Sequence, residues 1–247
     1  MPRFAVIVPA AGKSTRFKDR EKKPFATLDG RAVWIRAAEL FIPRADVCQF
    51  IIAIAPEDRE KFLRRFTANL AFMNVTVAEG GATRADSVAN ALQKVKDEAD
   101  YVAVHDAVRP CVTPELIDAV FNAAHQHGAA ILAIPVSDTL KKVDKNQRIQ
   151  ATLSREGLWL AQTPQVFRKD WLLAAYAQRD KLTSDVTDDA QLVEAAGYPV
   201  HIVEGAPTNI KITTKADLIL AEAILKSLPK PKVPGPIHPF ADEMQWR

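Results

Sequence analysis

Phe4-Ala5-Val6-Ile7-Val8-Pro9-Ala10-Ala11-Gly12-Lys13-Ser14-Thr15-Arg16 decides how this chain is read. An uninterrupted apolar run of strand length, Phe4–Val8, empties into a loop of small residues. Such a run suits a strand buried on both faces, as in a parallel sheet covered by helices. The loop then turns basic through Lys13, Arg16, Lys18, Arg20, Lys22 and Lys23. Small residues allow a ligand to approach the backbone, and backbone N–H groups with Lys and Arg hold polyphosphates. The loop lacks the glycines of a dinucleotide fingerprint and the Gly-x-x-x-x-Gly-Lys-Ser/Thr of a Walker loop.

Further apolar runs follow at Val47–Ile54, Met73–Ala78, Tyr101–Val104 and Ala129–Ile134. Between them lie stripes of helical spacing: Phe62, Leu63, Phe66 and Leu70; then Ala85, Val88, Ala89, Leu92 and Val95. A third comprises Leu220, Ala221, Ile224, Leu225 and Leu228. Thr113-Pro114 reads as an N-cap followed by proline, and Thr83/Asp86 and Thr214/Asp217 have capping-box spacing. The alternation predicts an α/β fold with a mostly parallel central sheet. Ser137–Leu160 breaks the rhythm with two alternating stretches around a polar turn, a β-hairpin with too little apolar surface to stand alone. It needs either its own domain surface or a second chain. The expected organisation is one domain over 1–228, including this hairpin, followed by a Pro-rich, extended tail at 229–247.

Composition narrows the function. The 247 residues are 48% hydrophobic and 26% charged, with a net charge of only +3, which argues against a duplex-binding surface. Cys48 and Cys111 lack metal or redox spacing, and the first apolar run is too short for a signal peptide or membrane span. A soluble cytoplasmic protein is expected, with no nucleic-acid or membrane partner.

Clusters at predicted strand ends stand where open α/β sheets bind ligands. Beside the opening loop is Glu79-Gly80-Gly81-Ala82-Thr83-Arg84-Ala85-Asp86-Ser87, a turn into a helix N-terminus. A third is His105-Asp106-Ala107-Val108-Arg109-Pro110. Asp106 there is placed to ligate Mg²⁺ together with phosphate oxygens, the structural alternative being an Asp106–Arg109 ion pair. His105 reads as structural. A fourth is Thr208-Asn209-Ile210-Lys211-Ile212-Thr213-Thr214, where Lys211 between apolar neighbours points to a site. With no nucleophilic triad in view, the chemistry is phosphoryl or nucleotidyl transfer carried by positioning and charge.

Taken together and in order, these motifs, with Ala161-Gln162-Thr163-Pro164-Gln165-Val166-Phe167, resemble the 2-C-methyl-D-erythritol 4-phosphate cytidylyltransferases over about residues 4–226. The resemblance implies a Rossmann-like nucleotidyltransferase fold and a homodimer whose 137–160 arm embraces the partner. It implies transfer of CMP from CTP to methylerythritol phosphate, with pyrophosphate released, in non-mevalonate isoprenoid synthesis. By matching positions, Ala10, Ala11, Gly12, Gly81 and Ser87 would bind the cytidine end through backbone and hydroxyl contacts, and Lys13 the triphosphate. Arg16, Lys23 and Lys211 would be catalytic, the first two on the α-phosphate. Asp106 would face Mg²⁺. Arg109, Thr163, Thr187 and Lys211 would line the sugar-phosphate pocket, with Thr139 and Arg155 reaching it from the neighbouring chain. The rival readings are a ribitol-5-phosphate cytidylyltransferase and a non-catalytic nucleotide-binding module. Two departures stand out. Ser14 occupies the place of a glycine and can offer its N–H to a ligand provided its φ stays negative. The family's Pro-Lys-Gln reads Lys22-Lys23-Pro24, where the spacing from Arg16 selects Lys23 and leaves Lys22 as a competitor.

Overall fold

In the computed structural model the opening run is an interior strand, β1 (Phe4–Pro9), which carries the small-residue loop at its C-terminal end. Residues 1–14, 17, 21–182 and 185–228 are described; Arg16, Lys18, Arg20 and the 229–247 segment lie outside them. The other strands are β2 (Thr27–Leu28), β3 (Arg31–Ala32), β4 (Val47–Ile54), β5 (Val75–Glu79), β6 (Tyr101–Val104), β7 (Ala129–Pro135), β8 (Leu140–Val143), β9 (Ile149–Leu153), β10 (Trp159–Arg168) and β11 (His201–Glu204). The helices are α1 (Val33–Ala38), α2 (Pro56–Phe72), α3 (Arg84–Leu92), α4 (Pro114–His127), α5 (Lys169–Ala177), α6 (Asp189–Ala195) and α7 (Lys215–Ser227).

Among the described residues the main sheet has seven strands in the order β11-β7-β10-β6-β1-β4-β5. All neighbours are parallel except β10, which runs antiparallel to both β6 and β7. Alternation along each strand sends its apolar side chains to both faces, as expected for a sheet covered on both sides. Phe4, Val6, Val8, Phe50, Ile52 and Ile54 pack with Trp34, Phe62 and Phe66 of α1 and α2 and with Ile117 and Phe121 of α4. Ile7, Ile51, Val102 and Val104 pack on the opposite face with Val88 and Leu92 of α3, Leu172 of α5 and Val193 of α6. Ile7, Ile51 and Ile52 are fully buried, each burial contributing on the order of 1.5–3 kcal/mol.

The start signals hold. Thr83 and Thr214 close capping boxes with Asp86 and Asp217, and the Thr113 hydroxyl caps α4 ahead of Pro114. Other expectations need correction. β5 begins at Val75 rather than Met73, because α2 runs to Phe72 and Asn74 turns the chain at φ +49°. On α7, Ala221, Ile224, Leu225 and Leu228 pack in the core as expected, joined by Leu218, and of the expected stripe only Leu220 is exposed. β10 has no clear sequence signature, since Gln162, Thr163, Pro164 and Gln165 interrupt its apolar residues; its register shifts between Ala161 and Gln165. The hairpin is present as β8–β9, a separate two-stranded sheet. Trp159 and Leu160 belong to β10 instead, opposite Pro135 and Ile134. Asp144 orders the hairpin turn by accepting from the N–H groups of Asn146 and Arg148.

Candidate active site

The loops after β1, β5 and β6 and the segment before α7 enclose a cleft of about 610 Å³ at the C-terminal sheet edge. The first two loops touch through Gly80: a Cβ there would lie 2.3 Å from the Ala11 Cβ, closer than any side chain tolerates. Gly80 is therefore the residue that lets the small-residue loop seat against its neighbour. The neighbour loop is shaped by Ser87, whose buried hydroxyl accepts from Gly81 N–H and donates to the Thr83 carbonyl, both at 3.0 Å. Ser87 lines the cleft, but its hydroxyl is used in building the loop.

Charge concentrates around Asp106. Its Oδ2 lies 2.8 Å from Lys211 Nζ and 3.7 Å from Arg109 Nε, and its Oδ1 accepts from Arg84 Nε at 3.2 Å. Burial opposes ionisation of Asp106, but Arg84 and then Lys211 overcome it and hold its carboxyl well below the usual range. Arg84 also reaches Asp189, fully buried, at 2.7 Å. The Tyr176 hydroxyl donates to the other Asp189 oxygen at 2.6 Å. Gln165 completes this layer: its Oε1 accepts from Asp189 and Ala190 N–H, and its amide donates to Asp188.

Beneath the cleft, His105 is fully buried. Its Nε2 faces the Arg109 carbonyl at 3.0 Å, which can only accept, so Nε2 carries the proton. Nδ1 then accepts from the Thr163 hydroxyl at 3.1 Å, and Thr163 Oγ1 accepts from Asp106 N–H at 3.0 Å. His105 is structural, as expected. Burial, outweighing its hydrogen bonds, lowers its pKa from 6.5 to about 4. Above pH 6.5 this has no effect on stability. Between 6.5 and about 4 the unfolded chain binds a proton that folded His105 refuses, so stability falls with pH by roughly 3 kcal/mol across that window. Unfolding free energies from urea titrations at pH 7, 5.5 and 4.5 should show this decline; a flat profile would refute it.

The two candidate lysines separate cleanly. Lys22 Nζ lies 2.5 Å from Asp58 and 3.2 Å from Glu57, in the first turn of α2. Burial works against the Lys22 charge, but these bonds outweigh it and raise its pKa. Lys23 lines the cleft and lies within electrostatic range of Asp217 at the start of α7. Ser14 also lines the cleft, with φ +54°, so the expectation of a negative φ there is corrected.

Of the residues singled out from sequence, Ala10, Ala11, Gly12, Lys13, Lys23, Gly81, Ser87, Asp106 and Lys211 line one cleft. Arg109 lies just behind it, donating to the Asn209 carbonyl at 2.6 Å. Thr163 is buried, with its hydroxyl committed to His105 and Asp106. Thr187 is exposed ahead of α6, bonded to Gln191. Thr139 and Arg155 sit at the base of the arm, away from the cleft of their own chain, with Arg155 donating to the Ser137 carbonyl. Sequence reading quoted Arg84 but assigned it no role, and it missed Asp189, whose partner lies 105 positions away. Asp106 lines the cleft, the place from which it is expected to meet Mg²⁺ together with phosphate oxygens. Among the described residues no three His, Cys, Asp or Glu side chains converge to hold a metal, and both Asp106 oxygens already face cations. Lys211 at 2.8 Å and Arg84 at 3.2 Å are its nearer partners, with Arg109 at 3.7 Å.

Known proteins resemble this chain along most of its length. A family model described as IspD: 2-C-methyl-D-erythritol 4-phosphate cytidylyltransferase matches residues 4–227. The chain is 45% identical to the 2-C-methyl-D-erythritol 4-phosphate cytidylyltransferase of Frankia casuarinae over 91% of its own length and 82% of that protein's. It is 39% identical to the bifunctional enzyme IspD/IspF of Desulfotalea psychrophila, matching with 94% of its own length and spanning 59% of that enzyme. Its fold is similar to the crystal structure of 2-C-methyl-D-erythritol 4-phosphate cytidylyltransferase from Thermus thermophilus, with a TM-score of 0.72, 34% identity, and coverage of 92% of this chain and 100% of that one. The chain belongs to the 2-C-methyl-D-erythritol 4-phosphate cytidylyltransferase family.

Proposed function

We propose that this chain transfers the cytidylyl group of CTP to 2-C-methyl-D-erythritol 4-phosphate, a step of the non-mevalonate route to isoprenoid precursors. The observation that carries the reading is the meeting, in one cleft, of the small-residue loop with Lys13, Lys23 and the Lys211–Asp106 pair. An oxygen of the acceptor phosphate attacks the α-phosphorus of CTP, and the bond to the bridging oxygen of the β-phosphate breaks, releasing pyrophosphate. The attacking group is already an anion, so no general base is needed. Charge builds on the α-phosphate oxygens, and fixed cations aimed there lower the barrier. Lys23, with Arg16 from the same loop, takes that role. Lys211 and Arg109, oriented by Asp106, hold the acceptor phosphate. Thr187 borders the acceptor side, while Thr163 acts from below by fixing Asp106. Mg²⁺ enters as the chelate of the CTP phosphates, part of the substrate.

The arm leaves Val143, Ile149, Leu153, Leu158, Trp159 and Leu160 between 40% and 64% exposed. So many exposed apolar side chains support a homodimer in which Thr139 and Arg155 approach the partner's acceptor pocket. No helix among the described residues is long and apolar enough to cross a membrane, which accords with a cytoplasmic site of action.

A pyrophosphate-release assay tests the reading. CTP and Mg²⁺ are offered with methylerythritol phosphate, with ribitol 5-phosphate, or with no acceptor. Release is expected with the first acceptor alone and should cease when the divalent cation is chelated. Release with ribitol phosphate only would overturn the acceptor assignment, and CTP binding without release would mark a nucleotide-binding module.

A further inference from the structure

We propose that the Ser14 hydroxyl is a positioning group for Lys23, tying the nucleotide loop to the lysine through a bond that a glycine cannot make. The inference rests on the reading of Lys23 as the cation on the α-phosphate. Ser14 Oγ accepts from the Lys23 backbone N–H at 3.1 Å, joining positions nine apart in the chain. Its own proton points the other way, toward the Gly12 carbonyl at 3.5 Å. Both Ser14 and Lys23 line the cleft.

Lys23 is also anchored from two other directions. Lys22, immediately before it, is paired with Asp58 and Glu57 on α2. Pro24 and Phe25, immediately after it, are buried, and the Phe25 ring packs against Phe62. Those anchors fix Lys23 relative to α2. The Ser14 bond ties Lys23 to the loop after β1 instead. It therefore sets the spacing between the Ala10–Gly12 platform and the lysine, the spacing on which attack geometry depends. The backbone supports the same conclusion. Ser14 adopts φ +54°, a conformation glycine reaches without the steric cost of a Cβ. A serine at this position departs from the local conformational preference, and the hydrogen bond to Lys23 is the compensating gain.

Steady-state kinetics of Ser14→Gly, Lys23→Ala and the double variant test this. Ser14→Gly suits the backbone and removes only the hydroxyl. It is expected to lower kcat by roughly tenfold, the worth of one ordinary hydrogen bond, while the KM for CTP stays within about twofold. In the Lys23→Ala background Ser14→Gly should have no further effect, since the hydroxyl acts through the lysine. Wild-type or higher kcat in Ser14→Gly overturns the proposal, and so does a full additive loss in the double variant. Undiminished turnover in Lys23→Ala would instead sink the reading of Lys23 itself, a separate result.

Discussion

Replacing Lys23 by alanine is expected to lower kcat by roughly 10²–10³-fold, the usual cost of removing one preorganised group from developing oxyanion charge. The KM for CTP should change by much less, because the small-residue loop and Lys13 still line the cleft. The control is Lys22→Ala. Both residues are cations on the same loop, and sequence alone leaves them in competition. In the folded protein Lys22 is turned onto Asp58 and Glu57, whereas Lys23 borders the cleft. Loss of Lys22 removes a partly exposed ion pair and should cost less than tenfold in kcat, through looser anchoring of its neighbour. Rapid-quench measurement of the chemical step for both variants decides the matter. Equal losses, or a larger loss from Lys22→Ala, would reverse the assignment.

Asp189→Ala should be the most destabilising single change among the polar residues around the cleft. Asp189 is wholly buried, its carboxylate accepts from Arg84 and Tyr176, and its backbone N–H donates to the Gln165 side-chain oxygen. Burial alone would disfavour the Arg84 charge, but Asp189 and then Asp106 keep it strongly in the charged form. Removing Asp189 takes from Arg84 the closer of its two carboxylate partners, leaving Asp106, and takes from the Tyr176 hydroxyl its acceptor. Breaking a buried pair from one side costs about 3–5 kcal/mol. For a domain of this size that corresponds to a fall in Tm on the order of 10 °C. Tyr176→Phe removes one hydrogen bond and should cost only about 1 kcal/mol. Calorimetry on the two variants separates the contributions; an Asp189→Ala protein melting within a degree or two of wild type would refute the account. Activity should fall as well at permissive temperature, because Arg84 links Asp189 to the Asp106–Lys211 pair.

Much of the architecture was legible along the chain because its signals are local. Buried parallel strands read as continuous apolar runs, and β1, β4, β6 and β7 stand where those runs stand. Capping boxes involve residues three apart, so Thr83/Asp86 and Thr214/Asp217 were visible without any fold. β10 was not, because its interior polar residues are satisfied by distant partners: Gln162 by Ala206, Thr163 by His105, Gln165 by Asp188 and α6. A pattern that counts apolar residues has no means of registering a buried glutamine.

The sequence by itself determined the class of fold, the edge of the sheet at which the cleft forms and the residue types that gather there. These follow from periodicity, chain reversal at strand ends and the chemistry of small and cationic side chains. Only the tertiary structure decided which opposite charges each of these groups faces. It turned Lys22 onto α2, surrounded Asp106 with Arg84, Arg109 and Lys211, and gave Arg84 its second partner in Asp189. It also put Ser14 into a left-handed conformation with its hydroxyl on Lys23. The reason is physical: what a charge does depends on which opposite charges lie within a few ångströms and how far water is excluded, and both are set by residues distant in the chain.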